Sequence, residues 1–185
     1  LFLSSADSPP GKVTVRALLT KHLPDPVNTG ERIAAHFARQ LGRAALLSFD
    51  DSQARLRLFS TASIDSLRSS SRKHADEPDH LTRAVADLHQ RTSLLLLAGE
   101  HDAELLDQCP QISLVTCPQS KAVVDAYSQL KQLTPSSAQT LGLTMIDCLY
   151  VAQGQHLAER ICQAAKEFLG LILRLDAVVL QSSRL

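Results

Sequence analysis

Several residue types are scarce in this chain, and each shortage narrows the range of functions. The 185 residues include no tryptophan, and aromatic residues make up only 4%, so the chain lacks the stacking platforms that bind single-stranded nucleic acid. Its 19 basic and 19 acidic side chains give a formal net charge of zero, which removes any overall attraction to nucleic acid or anionic lipid. The longest apolar runs, such as SLLLLAG, are too short to span a bilayer. We therefore expect no direct nucleic-acid binding and no membrane helix.

The cysteines favour a reduced protein without a metal centre. None belongs to a CxxC pair or has a histidine at zinc-ligand spacing; they are Cys109, Cys117, Cys148 and Cys162. Three lie in or beside apolar runs, where a reduced cysteine behaves as a small hydrophobic residue. We therefore expect buried thiols in a reducing compartment. The opening segment LFLSSADSPPGK lacks the methionine and basic region of a complete signal peptide, and the cytoplasm is the expected location.

Apolar segments of strand length alternate with segments of helical spacing. The strand-like runs cover residues 13–20, 44–49, 93–98 and 112–117, with a mixed run at 143–151 and a sixth within 171–180. Several are nearly continuous in Leu, Val and Ala, which is typical of strands buried on both faces of a parallel sheet. Right-handed crossovers then place helices on both faces. The sequence therefore predicts an α/β fold, a three-layer α/β/α sandwich with a mostly parallel sheet.

The segments between these runs repeat apolar residues on one helical face. They cover residues 30–41, 120–133 and 155–169, and a further segment that Asp79 can cap has apolar residues at 81, 85 and 88. Residues 60–79, STASIDSLRSSSRKHADEPD, are rich in serine and charge, and we expect an exposed loop there. The length and the apolar fraction of 44% predict a single domain over residues 1–185.

The loop after the first strand occupies the position of a phosphate-binding loop and lacks its chemistry. In open parallel sheets, ligands bind at the carboxyl ends of the strands. The segment HLPDPVNTG contains two prolines, and each removes an N–H donor. Its acid, Asp25, would place a negative charge against a polyphosphate. Glycine, which the close turn around a phosphate requires, is present only at Gly30.

A later segment carries a resemblance to a known family. Residues 116–133, TCPQSKAVVDAYSQLKQL, combine the end of a strand, a proline-containing turn and a helix that holds Asp125, Ala126, Tyr127 and Lys131. In this pattern, and in the order of strands and helices around it, the chain resembles the MinD/ParA-like P-loop ATPases. Among them it is most similar to the FlhG-type (FleN-type) regulators of flagellar number. The resemblance implies a P-loop NTPase fold of the MinD (SIMIBI) type.

The first nucleotide-binding motif of that family is altered here. The family reads Lys-Gly-Gly-Val-Gly-Lys-Thr in the loop after the first strand. The ungapped match places Leu23 at the first lysine, Asn28 at the phosphate-binding lysine and Thr29 at the magnesium-binding threonine. Thr29 is alternatively the N-cap of a helix that starts at Gly30. The resemblance therefore implies a degenerate loop with no expected nucleotide-binding residues. If nucleotide does bind, the candidate contacts are Asn28, Thr29 and Gly30, with Asp50 and Asp51.

The metal-binding positions are altered as well. The family ends its third strand with an aspartate that positions magnesium, and Leu97 or Ala98 stands there in this chain. Asp50 and Asp51 remain where the family carries Asp-x-Asp. They are either residual metal ligands or a solvated pair of acids at a strand end. Phosphoryl transfer needs the cation that the missing groups supply, so we expect no catalytic residues, no bound metal and no cofactor.

The resulting expectation is a non-catalytic pseudo-ATPase that regulates through protein contacts. The resemblance implies partners such as an FlhF-type GTPase, a flagellar transcription activator or basal-body components, in flagellar or other polar-machine assembly or placement. It also implies a monomer or a nucleotide-independent dimer. The alternative is a divergent but active ParA/MinD-type ATPase that binds ATP and magnesium. A third possibility is a Rossmann-like domain with a different small ligand at the strand ends.

The candidate partner-binding residues are on the helix predicted for residues 120–133. They are Asp125, Tyr127 and Lys131, because these match the family where the catalytic loops do not. Two interpretations of Tyr127 remain open: it contributes to a partner-binding face, or it packs on the sheet while Asp125 and Lys131 point into water.

Overall fold

The computed structural model describes residues 13–50, 53–61, 92–98, 103–133 and 139–181, and within these ranges the chain forms seven strands and four helices. The strands are β1 (Thr14–Leu19), β2 (Arg43–Asp50), β3 (Gln53–Ser60), β4 (Leu94–Ala98), β5 (Gln111–Thr116), β6 (Thr140–Cys148) and β7 (Leu173–Leu180). The helices are α1 (Pro26–Leu41), α2 (Ala103–Gln108), α3 (Ser120–Gln132) and α4 (Val151–Leu169).

The seven strands form one sheet in the order β3-β2-β4-β1-β5-β6-β7. Every neighbouring pair is parallel except β2 and β3, which form an antiparallel hairpin at one edge. β1 lies at the centre between β4 and β5. The expectation of an α/β protein with a mostly parallel sheet is therefore confirmed.

The helices cover both faces of this sheet. Consecutive residues of a strand point to opposite faces, and β5 shows which helix lies on which side. Val115 packs in one apolar cluster with Ile33 of α1, whereas Leu114 packs in another with Leu130 of α3 and Ile161 of α4. α2 lies on the same side as α3 and α4, because Leu106 joins that second cluster. The alternation of strands and helices in the sequence thus becomes a sheet between two helical layers.

Several element boundaries differ from the sequence-based prediction. Strand β3 was not predicted, because its alternating sequence QARLRLF is half-polar, as is common for a strand at the edge of a sheet. The short helix α2 was not predicted either. α1 begins at Pro26 rather than at residue 30, since proline is well tolerated in the first turn, and α4 begins at Val151 rather than 155. The helix predicted after Asp79 and most of the loop predicted at 60–79 lie outside the described residues.

The cysteines are placed as the sequence suggested. All four have free thiols; Cys109, Cys117 and Cys148 are buried and Cys162 is partly buried. Burial raises the pKa of the thiols of Cys109, Cys148 and Cys162 above the ordinary value. A raised thiol pKa means less thiolate at neutral pH, so these side chains are packing residues rather than reactive nucleophiles.

Candidate functional site

The loop between β1 and α1 ends in a helix cap built from the chain's own carboxylate. Asp25 is the N-cap of α1, and its Oδ1 accepts a hydrogen bond of 3.0 Å from the main-chain N–H of Asn28. The main-chain oxygen of Asp25 accepts a second bond, of 3.1 Å, from the N–H of Thr29. A carboxylate at a helix N-terminus is favoured by the partial positive charge of the helix dipole. The negative group that a phosphate-binding loop would take from its ligand is therefore already supplied by Asp25.

Several N–H donors of this loop are absent or already bonded. Pro24 and Pro26 have none, and the N–H of Leu23 donates to the main-chain oxygen of Thr20 at 2.8 Å. A phosphate cradle depends on several main-chain N–H groups that point at one anion. In this loop the N–H groups of Leu23, Asn28 and Thr29 are bonded within the chain and two prolines have none, so five of the possible donors are not free to bind an anion.

Thr29 and Gly30 serve the packing of α1 on the sheet. Thr29 is buried inside the first turns of the helix, so the prediction that it caps the helix is wrong, and Asp25 does so instead. Gly30 lies so close to the sheet that a Cβ there would be 2.9 Å from the Cβ of Ala98 and 3.3 Å from Leu46. The glycine at this position therefore allows a close helix–strand contact, which is a structural role.

The positions of the missing metal ligands lie at the carboxyl ends of β2 and β4. Leu97 and Ala98 are buried in β4, within the apolar packing of the sheet. Asp50 ends β2, where it pairs in register with Gln53 of β3, so it belongs to the hairpin. Asp51 lies outside the described residues. No cluster of three or more His, Cys, Asp or Glu side chains that could hold a metal ion occurs in the described ranges.

Unpaired polar groups gather instead at the carboxyl ends of β1 and β5. The hydroxyls of Thr20 and Thr116 are fully buried, and neither makes a hydrogen bond in the described structure. Both ring nitrogens of His22 and Oε1 of Gln129 on α3 are buried as well and make no hydrogen bond of ordinary geometry, although the two side chains lie close enough to interact. A buried polar group without a partner costs about 1–3 kcal/mol. The neighbourhood of His22 thus has unused hydrogen-bonding capacity at the edge where α/β proteins commonly bind ligands.

The histidine in this group is held in its neutral form. Burial lowers the pKa of His22 below its ordinary value, while the Gln129 side chain, the Asp125 carboxylate and the main chain of Val115 act in the opposite direction. Desolvation is the larger effect because it disfavours the charged imidazolium. Asp125 therefore faces the loop that follows β1, and this connects α3 electrostatically to the altered phosphate loop.

Helix α3 places the three candidate partner-binding residues on two sides. Tyr127 packs against the apolar cluster beneath α3 and α4, and the Nζ of Lys131 lies 5.3 Å from the centroid of its ring. Asp125 lies on the other flank, since a helix turns by about 100° per residue and Asp125 faces His22. Between Tyr127 and Asp125 on the outer side, Val124 is 63% exposed. Tyr127 and Lys131 thus form one patch, and Asp125 belongs to a different one.

A buried polar network crosses the face of the sheet that α1 covers, and sequence reasoning missed it. Nε and Nη2 of Arg16 in β1 donate to Oε1 of Gln111 in β5 at 3.1 and 2.9 Å. Nη1 of Arg16 lies 3.2 Å from Oδ2 of Asp176 in β7, and both side chains are only 15% exposed. The guanidinium also lies 5.2 Å from the ring centroid of Phe37, a cation–π arrangement. A lone charge inside an otherwise apolar strand run, as in VTVRALL, is the signal that could have revealed this network.

Hydroxyl groups and one glycine complete the network. Oγ of Ser113 donates to Oδ2 of Asp176 at 2.8 Å, and Oγ1 of Thr144 lies 2.9 Å from the same Ser113 oxygen. Because the single hydroxyl proton of Ser113 is directed to the carboxylate, Thr144 is the donor in that second bond. The carboxylate of Asp176 sits directly over Gly142, where a Cβ would be 1.8 Å from Oδ2.

This network joins four strands of the sheet. Asp176 reaches the covered face because β7 has an irregular register against β6 between Leu143 and Thr144, so that Asp176 and Ala177 both point to the α1 side. Burial raises the pKa of Asp176, and Arg16 and Ser113 oppose that shift. The network connects β1, β5, β6 and β7 and contains no exposed nucleophile.

Comparison with known proteins leaves the family open. No protein-family model matches the chain, and no curated protein matches it either. Among the helices that the structure describes, none combines the length and apolarity needed to cross a membrane. In its described residues, the chain is an α/β protein with a seven-stranded, mostly parallel sheet and a self-capped loop at the position of a phosphate cradle.

Proposed function

We propose that this chain is a non-catalytic, FlhG/MinD-like regulatory protein that acts through protein–protein contacts. The observation that carries the proposal is the Asp25 carboxylate at the N-terminus of α1, 3.0 Å from the N–H of Asn28. A nucleotide phosphate in this loop would meet that negative charge, and the two charges would repel each other. The central position of β1 and the placement of its loop at the carboxyl edge support a P-loop-like fold whose nucleotide chemistry has been lost.

The resemblance supplies the cellular setting of the proposal. FlhG-type proteins act in flagellar placement and number, so the proposed partners are an FlhF-type GTPase, a flagellar transcription activator or basal-body components, or the equivalent parts of another polar machine in the cytoplasm. The exposed side of α3 is the proposed contact surface. Lys131 is exposed there, and Tyr127 gives the patch a rigid aromatic base.

A thermal-shift titration tests the loss of nucleotide binding. A ligand that binds the native state raises the melting temperature by mass action. We expect millimolar ATP with magnesium to leave the melting temperature unchanged. A shift that grows with ATP concentration and disappears in Asp50→Ala would overturn the proposal and favour a divergent, active ATPase. ATP without magnesium and magnesium alone are the matched controls for non-specific ionic effects.

A further inference from the structure

An exposed apolar patch lies at the carboxyl edge of the sheet, where β6 turns into α4. Three consecutive residues form its centre: Leu149 is 68% exposed, Tyr150 60% and Val151 46%. Leu180, which is 43% exposed, adjoins them because it pairs in register with Cys148, the residue before Leu149. We call these four residues the β6–α4 patch. Contiguous exposed apolar residues of this kind mark interaction surfaces more often than isolated ones do.

The β6–α4 patch is presented on a fixed backbone. The N–H of Leu149 donates to Oε1 of Gln153 at 2.9 Å, and Tyr150 is the extended N-cap residue of α4. The N–H of Gln181 donates to the main-chain oxygen of Cys148 at 2.9 Å, which joins the end of β7 to this turn. A rigid apolar surface binds a partner at a lower entropic cost than a mobile one. Tyr150 is of the residue type most often found at the energetic centre of interfaces.

Opposite charges lie directly beside the patch. Nη2 of Arg32 on α1 is 2.7 Å from Oδ1 of Asp147, and the two side chains remain 27% and 39% exposed. Arg32 also donates to the main-chain oxygen of Leu180 at 3.4 Å. Because one positive and one negative group lie beside the apolar centre, each can pair with the opposite charge of a second copy, which is what an interface related by a twofold axis uses. The formal net charge of zero means that two copies do not repel each other at long range.

We propose that the β6–α4 patch is the contact between two copies of this chain in a symmetric dimer that forms without nucleotide. In this dimer, Tyr150 and Leu149 of each copy cover the apolar centre of the other copy. Arg32 of each copy then faces Asp147 of the other, so that the two ion pairs become one alternating group of four charges. The proposal is independent of the partner surface on α3, because the β6–α4 patch shares no residue with that surface and its dimerisation is measured on the purified protein alone.

Sedimentation velocity from about 1 μM to about 1 mM, a range that covers weak to moderate affinity, tests the dimer. We expect a concentration-dependent dimer that does not change when ATP and magnesium are added. Tyr150→Ser and Leu149→Ser should each weaken dimerisation by at least about tenfold. Phe168→Ser is the matched control: Phe168 is 75% exposed but lies at the other end of α4. A wild-type chain that stays monomeric over the whole concentration range would overturn the proposal. So would a Phe168→Ser variant that dimerises as weakly as Tyr150→Ser does.

Charge reversal tests the arrangement of Arg32 and Asp147. Arg32→Glu leaves two acids beside the patch, and Asp147→Lys leaves two bases, so each variant alone should be mainly monomeric because its copies repel each other. An equimolar mixture of the two should dimerise again, since opposite charges then face each other. Unchanged thermal melting of both variants shows that folding is intact. If the mixture remains monomeric while both variants are folded, the proposed arrangement is wrong.

Discussion

Asp25 and Asn28 form the contact that most clearly separates this loop from a phosphate-binding one: Oδ1 of Asp25 accepts the N–H of Asn28 at 3.0 Å. In a phosphate loop, N–H groups at this helix end are directed at the ligand. Here a side chain of the same loop accepts the hydrogen bond from an N–H group in the first turn of α1. The loop is stabilised by the same feature that opposes nucleotide binding.

Removing the cap should destabilise the protein without creating a nucleotide site. Asp25→Ala should lower the free energy of unfolding by about 0.5–2 kcal/mol, and Asp25→Ser should recover most of that loss because serine is also a good N-cap. Denaturant titration measures both changes. Neither variant should acquire a thermal shift with ATP and magnesium, since Pro24 and Pro26 still supply no N–H. A nucleotide-dependent shift in Asp25→Ser would show that the aspartate alone blocks an otherwise intact site.

Gly142 should be intolerant of any side chain. In Gly142→Ala the new Cβ would occupy the position of the Asp176 carboxylate, which would break the contacts of that carboxylate with Ser113 and Arg16. Removing one partner of a buried ion pair costs about 3–5 kcal/mol, and we expect a loss at the lower end of that range because the pair is partly exposed. Denaturant titration of the purified variant measures the loss.

A double-mutant cycle checks the cause assigned to that loss. When Asp176→Ala has already removed the carboxylate, Gly142→Ala should cost much less than it does in the wild-type chain, because the clash is gone. Non-additivity of this kind identifies residues in direct contact. If the two changes are instead additive, the glycine is required for another reason, and the packing described for Asp176 is incorrect.

His22 should make stability depend on pH below neutrality. Its pKa is lowered by burial, so the unfolded chain binds a proton at higher pH than the folded chain does. The contribution is fully present above the unfolded pKa of about 6.5 and is lost as the pH falls through the lower, folded pKa. We therefore expect the free energy of unfolding to rise with pH in that window and His22→Gln to flatten the rise.

Two further variants separate the contribution of His22 to the pH dependence of stability from the contributions of other histidines. The pKa of His36 is also lowered, by burial and then by Arg39, so His36→Gln should remove a second, additive part of the slope. Asp125→Asn removes a charge that favours the protonated ring of His22, and the NMR titration of His22 should move to lower pH in that variant. An unchanged His22 titration would mean that Asp125 does not face the ring.

The sheet was predictable because its central strands are nearly continuous apolar runs. LLLLA in β4 is buried along its whole length, and a run of that kind fits only a strand covered on both faces. β3 was not predictable in the same way, because an edge strand is half-exposed and its alternating arginines resemble a polar loop. The start of α3 was predicted correctly at Ser120. The starts of α1 and α4 were missed by about one turn, because the apolar repeat marks the buried face and not the first turn.

The sequence predicted which nucleotide-binding groups the candidate site lacks, but it did not predict which contacts the residues of the site make. The prolines and the missing lysine can be counted in the sequence, and Asp25 could be identified as repulsive to phosphate. That its carboxylate caps α1 depends on the backbone angles of the loop. The pairing of Arg16 with Asp176 joins residues 160 positions apart (176 − 16), and no local pattern indicates it. Asp125 and Lys131 are close in sequence, yet the helix places them on opposite flanks.

The separation of Asp125 from Lys131 determines how the proposed partner surface should be tested. Tyr127 is packed into the core, so changing it would mix folding with binding, whereas Lys131 is exposed in the last turn of α3. Lys131→Glu should weaken capture of a flagellar or polar-machine partner and move stability by only about 0.5–1 kcal/mol, the size of an exposed cation–π contact.

Lys166→Glu is the matched control, since Lys166 is an exposed base in the last turn of α4 and loses the same favourable interaction with a helix dipole. Quantitative capture with the purified candidate partners measures binding, and thermal melting of each variant measures folding. Asp125→Lys, assayed separately, reports on the flank that faces His22. Equal capture by wild type, Lys131→Glu and Asp125→Lys would remove α3 as the contact surface, and equal weakening by Lys131→Glu and Lys166→Glu would show that overall charge, not this patch, governs binding.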